Sequence, residues 1–230
     1  MKAVLNEREL GALSLFRGLS PAQLNELSDM VFYKEFPADR TVLTINEPGE
    51  AVYILLSGTV KVSIDRNGAD VILTLCGPGE VLGEISVMDG LGHSANVVTL
   101  DACRFLTIGS AAFCEILHTM PPVTYNLATM LARRLRRAGR QTEALAALDI
   151  CGRVAGQLLD FAHAYGVAGA NGDIMIPIRL TQTDFAALIG ATRESVNKAL
   201  AFYKRNKCIS IDGEQRITIH QQDVLVKRSR

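Results

Sequence analysis

The chain has 230 residues, enough for two domains, and it is 48% hydrophobic and 21% charged with no net charge. This balance is typical of an ordinary globular protein, and no apolar run is long enough to cross a bilayer. The N-terminus lacks the charged-then-apolar pattern of a secretory signal, so we expect a cytoplasmic protein without a membrane partner.

Charge is unevenly spread along the chain. Residues 1–149 hold 13 basic and 17 acidic side chains, whereas residues 150–230 hold 11 and 7, so the C-terminal third has the positive charge that suits a polyanion.

The five cysteines are scattered and form no CxxC pair. They argue against a disulfide framework, a zinc site or an iron–sulfur cluster, and we expect no metal.

The first half of the chain changes pattern at Val31. Residues 8–30 predict short helices, one of which starts at Ser20 with proline next to it. From Val31 to Ile108, short apolar or alternating runs are punctuated by glycine, proline and asparagine. Regular short strands with turn signals predict an all-β roll, barrel or sandwich.

After Ser110 the pattern is helical, and Pro121-Pro122 separates a short helix from a long one that ends near Leu148. The long helix predicts a seam between two copies of the chain, because its apolar or small residues recur at spacings of four and three. These residues are Leu127, Leu131, Leu135, Ala138, Thr142 and Leu145. The opposite face carries Arg133, Arg134, Arg136, Arg137 and Arg140. A single packed helix with a solvated basic face is the alternative.

The C-terminal part begins with a predicted hinge near Asp149–Cys151. A helix to Tyr165, a loop and a strand over residues 174–179 follow. Residues 208–219 then predict a hairpin with Asp212-Gly213 in its turn. Helices that are followed by a small hairpin are typical of a winged helix.

Between that strand and the hairpin, Thr181–Tyr203 predicts two short helices joined by a turn at Gly190, where a Cβ would resist a left-handed conformation. Thr192 is the predicted N-cap of the second helix. Its polar residues are then expected to point outward at the helix start: Arg193, Glu194, Ser195, Asn197 and Lys198. A helix-turn-helix places such residues in the DNA major groove. An ordinary amphipathic hairpin with a solvated charged face is the alternative.

This order of elements resembles the superfamily of bacterial transcription factors that contains the cyclic-AMP receptor protein and the fumarate–nitrate regulator (CRP/FNR). The resemblance covers residues 16–219 and is carried by four segments: Gly79–Val97, Leu131–Leu135, Leu148–Leu159 and Leu180–Leu200. It implies an α+β protein. Residues 1–120 would form a jelly-roll-like cyclic-nucleotide-binding β-roll, residues 121–148 a dimerisation helix, and residues 149–230 a winged helix-turn-helix domain that binds DNA.

The resemblance also implies an effector site. Gly83 and Glu84 match the family's Gly-Glu pair, which holds a cyclic nucleotide, and His93-Ser94 stands where cyclic-AMP binders have an Arg-Ser pair on the phosphate. An imidazole is a weaker phosphate clamp than a guanidinium at neutral pH. On the dimer helix, the Thr-Ser pair that such binders present to adenine is replaced by Ala138-Gly139.

Arg137 and Arg140 flank those two small residues, and arginine pairs well with the guanine edge. The sequence therefore slightly favours cyclic di-GMP as the effector over cyclic AMP or cyclic GMP. The alternative is a degenerate pocket, with DNA binding that is independent of any ligand or regulated by a protein partner.

For DNA, the resemblance implies that Arg193, Glu194 and Lys198 read a TGTGA-like half-site in a palindromic operator. Thr181, Thr183 and Thr192 are candidate phosphate contacts, and Asn197 lies among the outward residues. A homodimer and RNA polymerase are the implied partners. We expect no enzyme, because the sequence contains no GxSxG, HExxH or Walker motif.

Overall fold

The computed structural model describes residues 7–66, 69–169, 172–178, 181–213 and 216–229. The chain forms two compact units. The first holds residues 1–68 and 73–134, and the second holds residues 135–230 together with residues 69–72. The predicted domain limits at residues 120 and 148 lie at the two ends of the long helix, whereas the two units divide inside that helix.

The chain begins with the predicted short helices: α1 (Glu7–Ala12), a single 3-10 turn (Ser14–Phe16) and α2 (Pro21–Met30). Helix α2 starts as the sequence predicts, since the Ser20 side chain accepts from the Gln23 backbone N–H and Pro21 occupies the first turn.

The predicted β-roll is confirmed as two four-stranded sheets. One has the order β1-β8-β3-β6 and the other has the order β2-β7-β4-β5. The strands are β1 (Val31–Phe36), β2 (Thr41–Leu43), β3 (Ala51–Ser57), β4 (Val60–Arg66), β5 (Ala69–Cys76), β6 (Val81–Leu82), β7 (Asn96–Thr99) and β8 (Cys103–Gly109). A short helix, α3 (Glu84–Asp89), interrupts the roll between β6 and β7.

Apolar side chains from both sheets fill the interior of the roll. Leu55, Val60 and Phe105 are completely buried there, and the Phe105 ring packs edge-on against Tyr53 with centroids 5.9 Å apart. Alternation along the strands places these residues inward, as period-2 patterning requires.

Helices α4 (Ser110–Thr119) and α5 (Pro121–Ala147) follow the roll, as predicted. One face of α5 packs on the outer side of the β1-β8-β3 sheet. Leu127 is buried in that cluster and Leu131 packs against it. Both were predicted to lie in the seam between two copies. For Leu127 that prediction is wrong, because its side chain is buried in the core of its own chain. Leu131 is only partly buried there, so its place in the seam stays a prediction.

A different face of α5 is exposed in the single chain. Exposed residues recur at spacings of three and four along it: Tyr125, Ala128, Ala132, Leu135, Gly139, Thr142 and Ala146. The side chains of Tyr125 and Leu135 are each 75% exposed. We call this set the heptad stripe. It retains Leu135 and Thr142 of the predicted seam.

The second unit has the predicted winged-helix order. Its elements are α6 (Ile150–Tyr165), β9 (Val167–Ala168), β10 (Ile174–Ile176), α7 (Gln182–Ile189), α8 (Arg193–Arg205), β11 (Ile209–Ile211), β12 (Ile217–Ile219) and α9 (Gln222–Arg228). The sheet order is β11-β12-β10-β9. Strand β9 and helix α9 were not predicted. Arg179, the predicted end of the strand at 174, and Leu180 lie outside the described residues.

Candidate effector site and nucleic-acid interface

The turn from β6 into α3 brings Glu84 into the roll. Gly83 is the N-cap of α3 and has a left-handed backbone with φ of 82°. A Cβ at this position would lie 2.9 Å from the Ala51 carbonyl oxygen, so both the conformation and the space require glycine. Glu84 follows as the first residue of the helix and is only 2% exposed.

The Glu84 carboxylate is held by a residue that sequence reasoning did not include in the effector site. Arg134 of α5 places Nη1 2.5 Å from Glu84 Oε1 and Nη2 2.8 Å from Glu80 Oε2, and it also donates to the Val81 carbonyl. One guanidinium thus binds two carboxylates and a backbone oxygen, which is the geometry that arginine favours.

Burial dominates the electrostatics of this pair. Desolvation raises the pKa of Glu84, and the Arg134 cation offsets part of that rise. For Arg134, desolvation would lower the pKa, but Glu84 and Glu80 together outweigh it and leave the pKa raised. Each member of the pair therefore favours the charged form of the other.

The sequence places Arg134 with four other arginines on the face of the long helix opposite the seam, and for Arg134 that prediction is wrong. Val123, Leu127, Met130 and Arg134 follow one another at spacings of four, three and four, so they lie on the face that packs on the first unit. That spacing is the signal that could have identified Arg134. Arg140 lies in the second unit and pairs with Asp160 there at 3.4 Å.

His93 is buried, with 7% exposure, and its Nδ1 lies 2.6 Å from the Ser86 hydroxyl oxygen. Its backbone N–H donates to the Glu47 carbonyl. The ring lines a surface cavity of about 310 Å³ together with Glu47, Glu50 and Tyr53. Ser94 next to it is exposed.

Desolvation lowers the pKa of His93, although the Glu47 carboxylate opposes this effect. The ring is therefore neutral at neutral pH, and two carboxylates share its cavity. In this form the position offers a hydrogen bond but no positive charge to a phosphate.

This buried ring gives a pH prediction. A histidine whose pKa is lowered on folding stabilises the fold above its unfolded value near 6.5, and the contribution is lost as pH falls below that value. Between pH 7 and 5.5, wild-type stability should fall with a slope of up to about 1.4 kcal/mol per pH unit for this one proton. His93→Gln should flatten the slope in urea unfolding, whereas His118→Gln, at an exposed position, should not. Identical slopes in all three proteins would exclude His93 as the source.

The helix-turn-helix is confirmed, and threonine caps both of its helices. The Thr181 side chain accepts from the Asp184 N–H at 3.0 Å, and the Thr192 side chain accepts from the Ser195 N–H at 3.2 Å. Gly190 ends α7 with φ of 62°. Both cap threonines and Thr183 are exposed, which leaves them accessible to a phosphate backbone.

The start of α8 presents Arg193, Glu194 and Lys198 to solvent, as predicted. Glu194 Oε1 and Lys198 Nζ lie 2.6 Å apart, with both side chains more than three-quarters exposed. Such a pair is worth only about 0.3–0.5 kcal/mol, so a DNA base could displace it at little cost. Asn197 differs from expectation. It is half-buried, and its Oδ1 is buried without a partner among the described residues, so that atom does not face a groove.

Hydrogen bonds among three side chains link the hairpin of β11 and β12 to the segment before β10. His220 Nε2 lies 2.8 Å from the Ser210 hydroxyl, and its Nδ1 lies 2.9 Å from Asp173 Oδ2. The three residues come from the end of β12, from β11 and from the segment before β10. Sequence reasoning missed this link because the residues are far apart in the chain.

Comparison with known proteins agrees with this architecture. The family model of the cyclic nucleotide-binding domain matches residues 33–120, and that of the Crp-like helix-turn-helix domain matches residues 152–228. A CRP-like cAMP-activated global transcriptional regulator of Mycobacterium tuberculosis is 32% identical over 222 residues, which are 96% of this chain and 98% of that protein. The chain belongs to the CRP/FNR family.

Members of this family are bacterial transcription regulators that combine a cyclic-nucleotide-binding domain with a DNA-binding helix-turn-helix. Two solved structures share the fold. FixK2 from Bradyrhizobium japonicum has a TM-score of 0.78 at 21% identity, covering 87% of this chain and 98% of its own. The c-di-GMP responsive regulator CLP of Xanthomonas campestris has a TM-score of 0.72 at 18% identity, with 87% and 99% covered.

Two further features, a metal site and a membrane-spanning helix, are absent from the described part of the chain. No group of three or more histidine, cysteine, aspartate or glutamate side chains there could hold a metal ion. None of the described helices is both long and apolar enough to span a bilayer.

Proposed function

We propose that this protein is a homodimeric, sequence-specific transcription regulator whose operator affinity is set by a cyclic nucleotide bound at the turn from Gly83 to Glu84. The observation that carries the proposal is the buried Glu84 carboxylate, which is fixed by Arg134 from α5. A carboxylate held in this way can accept a hydrogen bond from a ribose hydroxyl. Because its partner lies on α5, a ligand that engages Glu84 acts on the same helix that carries the heptad stripe.

Dimerisation through that stripe is part of the proposal. A 27-residue helix with exposed Tyr125 and Leu135 on one face needs a partner surface, and alternating spacings of three and four suit a two-fold helix pair. Two copies would present two α8 helices to the two half-sites of a palindromic operator. We predict that each half-site has a TGTGA-like sequence. RNA polymerase in the bacterial cytoplasm is the partner that transcription control requires.

A cyclic mononucleotide, cyclic AMP first, is the effector that we now favour. A relative that matches along nearly the whole chain is a cAMP-activated regulator. Arg140 pairs with Asp160 at 3.4 Å, but this exposed pair is weak and does not decide between the nucleotides. The match to this relative reverses the preference for cyclic di-GMP that the sequence alone suggested.

Cyclic di-GMP remains the second candidate because of one feature. Arg133, Arg136, Arg137 and Arg140 follow one another at spacings of three, one and three, so they form one basic face of α5. Arginine matches both guanine edges and phosphates.

The alternative of a pocket that binds no nucleotide is supported by His93. Its neutral ring lies in a cavity with two carboxylates, so the position offers no positive charge to a phosphate.

Calorimetric titration with cyclic AMP, cyclic GMP and cyclic di-GMP separates these alternatives. If a mononucleotide is bound at Glu84, Glu84→Gln should weaken it, while Arg137→Ala and Arg140→Ala leave it nearly unchanged. If cyclic di-GMP is the effector, the two arginine variants should weaken it by about tenfold to a hundredfold. If none of the three nucleotides gives a binding signal, the result favours the alternative, in which DNA binding is independent of any ligand or is regulated by a protein partner.

DNA readout gives a second prediction. Glu194→Ala should relax preference at one base pair of the half-site, at a cost of about 1–3 kcal/mol on the preferred sequence. Lys227→Ala, which removes an exposed cation from α9, serves as a charge-changing comparison. Gel-shift titrations against operators that vary at each position measure the effect. An equal loss on every sequence would make Glu194 a positioning group rather than a base reader.

A further inference from the structure

The Arg153 side chain joins two segments of the second unit. Its Nε donates to the Leu148 carbonyl at 3.2 Å, and its Nη1 lies 3.2 Å from the Ile189 carbonyl and 3.4 Å from the Gly190 carbonyl. Leu148 closes the last turn of α5, since its N–H donates to the Ala144 carbonyl. Ile189 and Gly190 form the end of α7 and the turn of the helix-turn-helix.

The contact is suited to a cation. The last carbonyls of a helix lack intrahelical donors and carry partial negative charge, so a positive group there satisfies them. The Arg153 side chain donates to carbonyl oxygens at the C-terminal ends of both α5 and α7. Its planar fork can hold two acceptor groups in fixed directions, which an ammonium cannot do.

Direct packing reinforces the same junction. A Cβ on Gly190 would lie 3.2 Å from Leu145 Cδ2, so the turn of the helix-turn-helix sits against the end of α5. The residue there must be small and left-handed, with φ of 62°.

A second arginine holds the other side of the corner between α5 and α6. Asp149 caps α6 by accepting from the Gly152 N–H at 2.8 Å, and its other carboxylate oxygen lies 2.5 Å from Arg228 Nη2 of α9. Leu225 of α9 is fully buried in this unit. The corner at Leu148-Asp149, which adjoins the hinge predicted near Asp149–Cys151, is therefore contacted by one arginine from α6 and one from α9.

We propose that Arg153 is a positioning residue that carries movement of the C-terminal end of α5 directly to the helix-turn-helix, so that the last turns of α5 and the DNA-reading helices move together. The physiological role of this coupling rests on the proposed function, in which a bound nucleotide controls DNA binding. The structural part of the proposal, a brace between α5 and the turn at Gly190, stands on the contacts of the second unit alone.

The first test measures coupling. Operator affinity is determined by fluorescence anisotropy with and without saturating cyclic AMP, and again with cyclic di-GMP, for wild type, Arg153→Lys, Arg153→Gln and the control Arg104→Gln. The control changes an exposed arginine of β8, whose Nε donates to the Ser57 hydroxyl in the first unit. Allosteric coupling is typically about 5–150-fold, and Arg153→Gln should reduce it to near onefold while nucleotide affinity without DNA is kept. Arg153→Lys should give a partial loss. Wild-type coupling in Arg153→Gln would overturn the proposal.

The second test needs no ligand, so it still decides the brace if no nucleotide affects wild-type DNA binding and the proposed function fails. Hydrogen–deuterium exchange in the full chain should become faster in Arg153→Gln at residues 144–153 and 186–192 together, with β11 and β12 unchanged. Unchanged exchange in both segments overturns the brace. A uniform increase across the second unit also overturns it, because that result means general loosening.

Discussion

Leu135→Asp is expected to convert the proposed dimer into monomers. Leu135 is 75% exposed in the single chain and lies at the middle of the heptad stripe. In a two-fold pair, each copy would bring one carboxylate into the same apolar seam, so two unpaired like charges would be buried together. Each carries a desolvation penalty of several kcal/mol, which is a large share of the energy of a helix pair.

Light scattering measures the mass directly, and operator binding should fall together with it because a monomer reaches only one half-site. Val224→Asp is the matched control, since Val224 is also an exposed apolar residue but lies on α9. It should remain a dimer with normal operator affinity. A Leu135→Asp protein that keeps the dimer mass would show that the seam lies on another face of the chain.

The fold was predictable because its signals are local. Ser20-Pro21, Thr181 and Thr192 mark helix starts through side chains that cap within three residues, and short strands between turn residues mark the roll. Helix α9 was missed because it is short and no clear capping signal precedes it. Its N-cap, Gln221, makes no side-chain capping bond.

The error in the seam has a geometric cause. Helix α5 carries two apolar faces, one for its own unit and one that is exposed, and residues from both can be read as a single series. At 3.6 residues per turn, each step of four residues advances about 40° around the helix, so the series Leu127, Leu131, Leu135 turns by about 80° and leaves the face that covers the chain's own core. Sequence spacing alone does not say which face covers the chain's own core.

The site was only half predictable for a related reason. Gly83 and Glu84 could be placed from a short motif with clear chemistry, but the partners of buried charges come from distant segments. Arg134 reaches Glu84 across 50 residues, and Arg153 reaches Ile189 across 36. Periodicity could place Arg134 on the inward face of α5, but it does not say which distant residue is the partner, and only the fold shows the pairs.

Arg134→Met is expected to lower the free energy of unfolding by roughly 3 kcal/mol, the lower end of what the loss of one partner of a buried ion pair costs. The lower end applies because the Arg134 side chain keeps 27% exposure, whereas Glu84 keeps 2%. Glu84 would be left buried beside Glu80 with no cation. Glu84→Gln in the same chain removes the stranded charge and should recover much of the loss.

The pH dependence of this variant identifies the cause. Without Arg134, burial and the nearby Glu80 carboxylate both raise the pKa of Glu84 with no cation to oppose them, so it should rise beyond the already raised value of the intact protein. A carboxylate with a raised pKa in the fold favours stability below its unfolded pKa near 4.3 and costs stability as pH rises through the folded value. The deficit of Arg134→Met against wild type should therefore be larger at pH 8 than at pH 5 in urea unfolding.

Arg140→Ala supplies the comparison, because Arg140 and Asp160 form an exposed pair worth at most about 1 kcal/mol. It should show a small deficit that does not change with pH between 5 and 8. If Arg134→Met lost no more stability than Arg140→Ala, or if its deficit were equal at both pH values, Glu84 would not depend on Arg134 for its charge. The effector site would then have to be built on the turn at Gly83 without the link to α5.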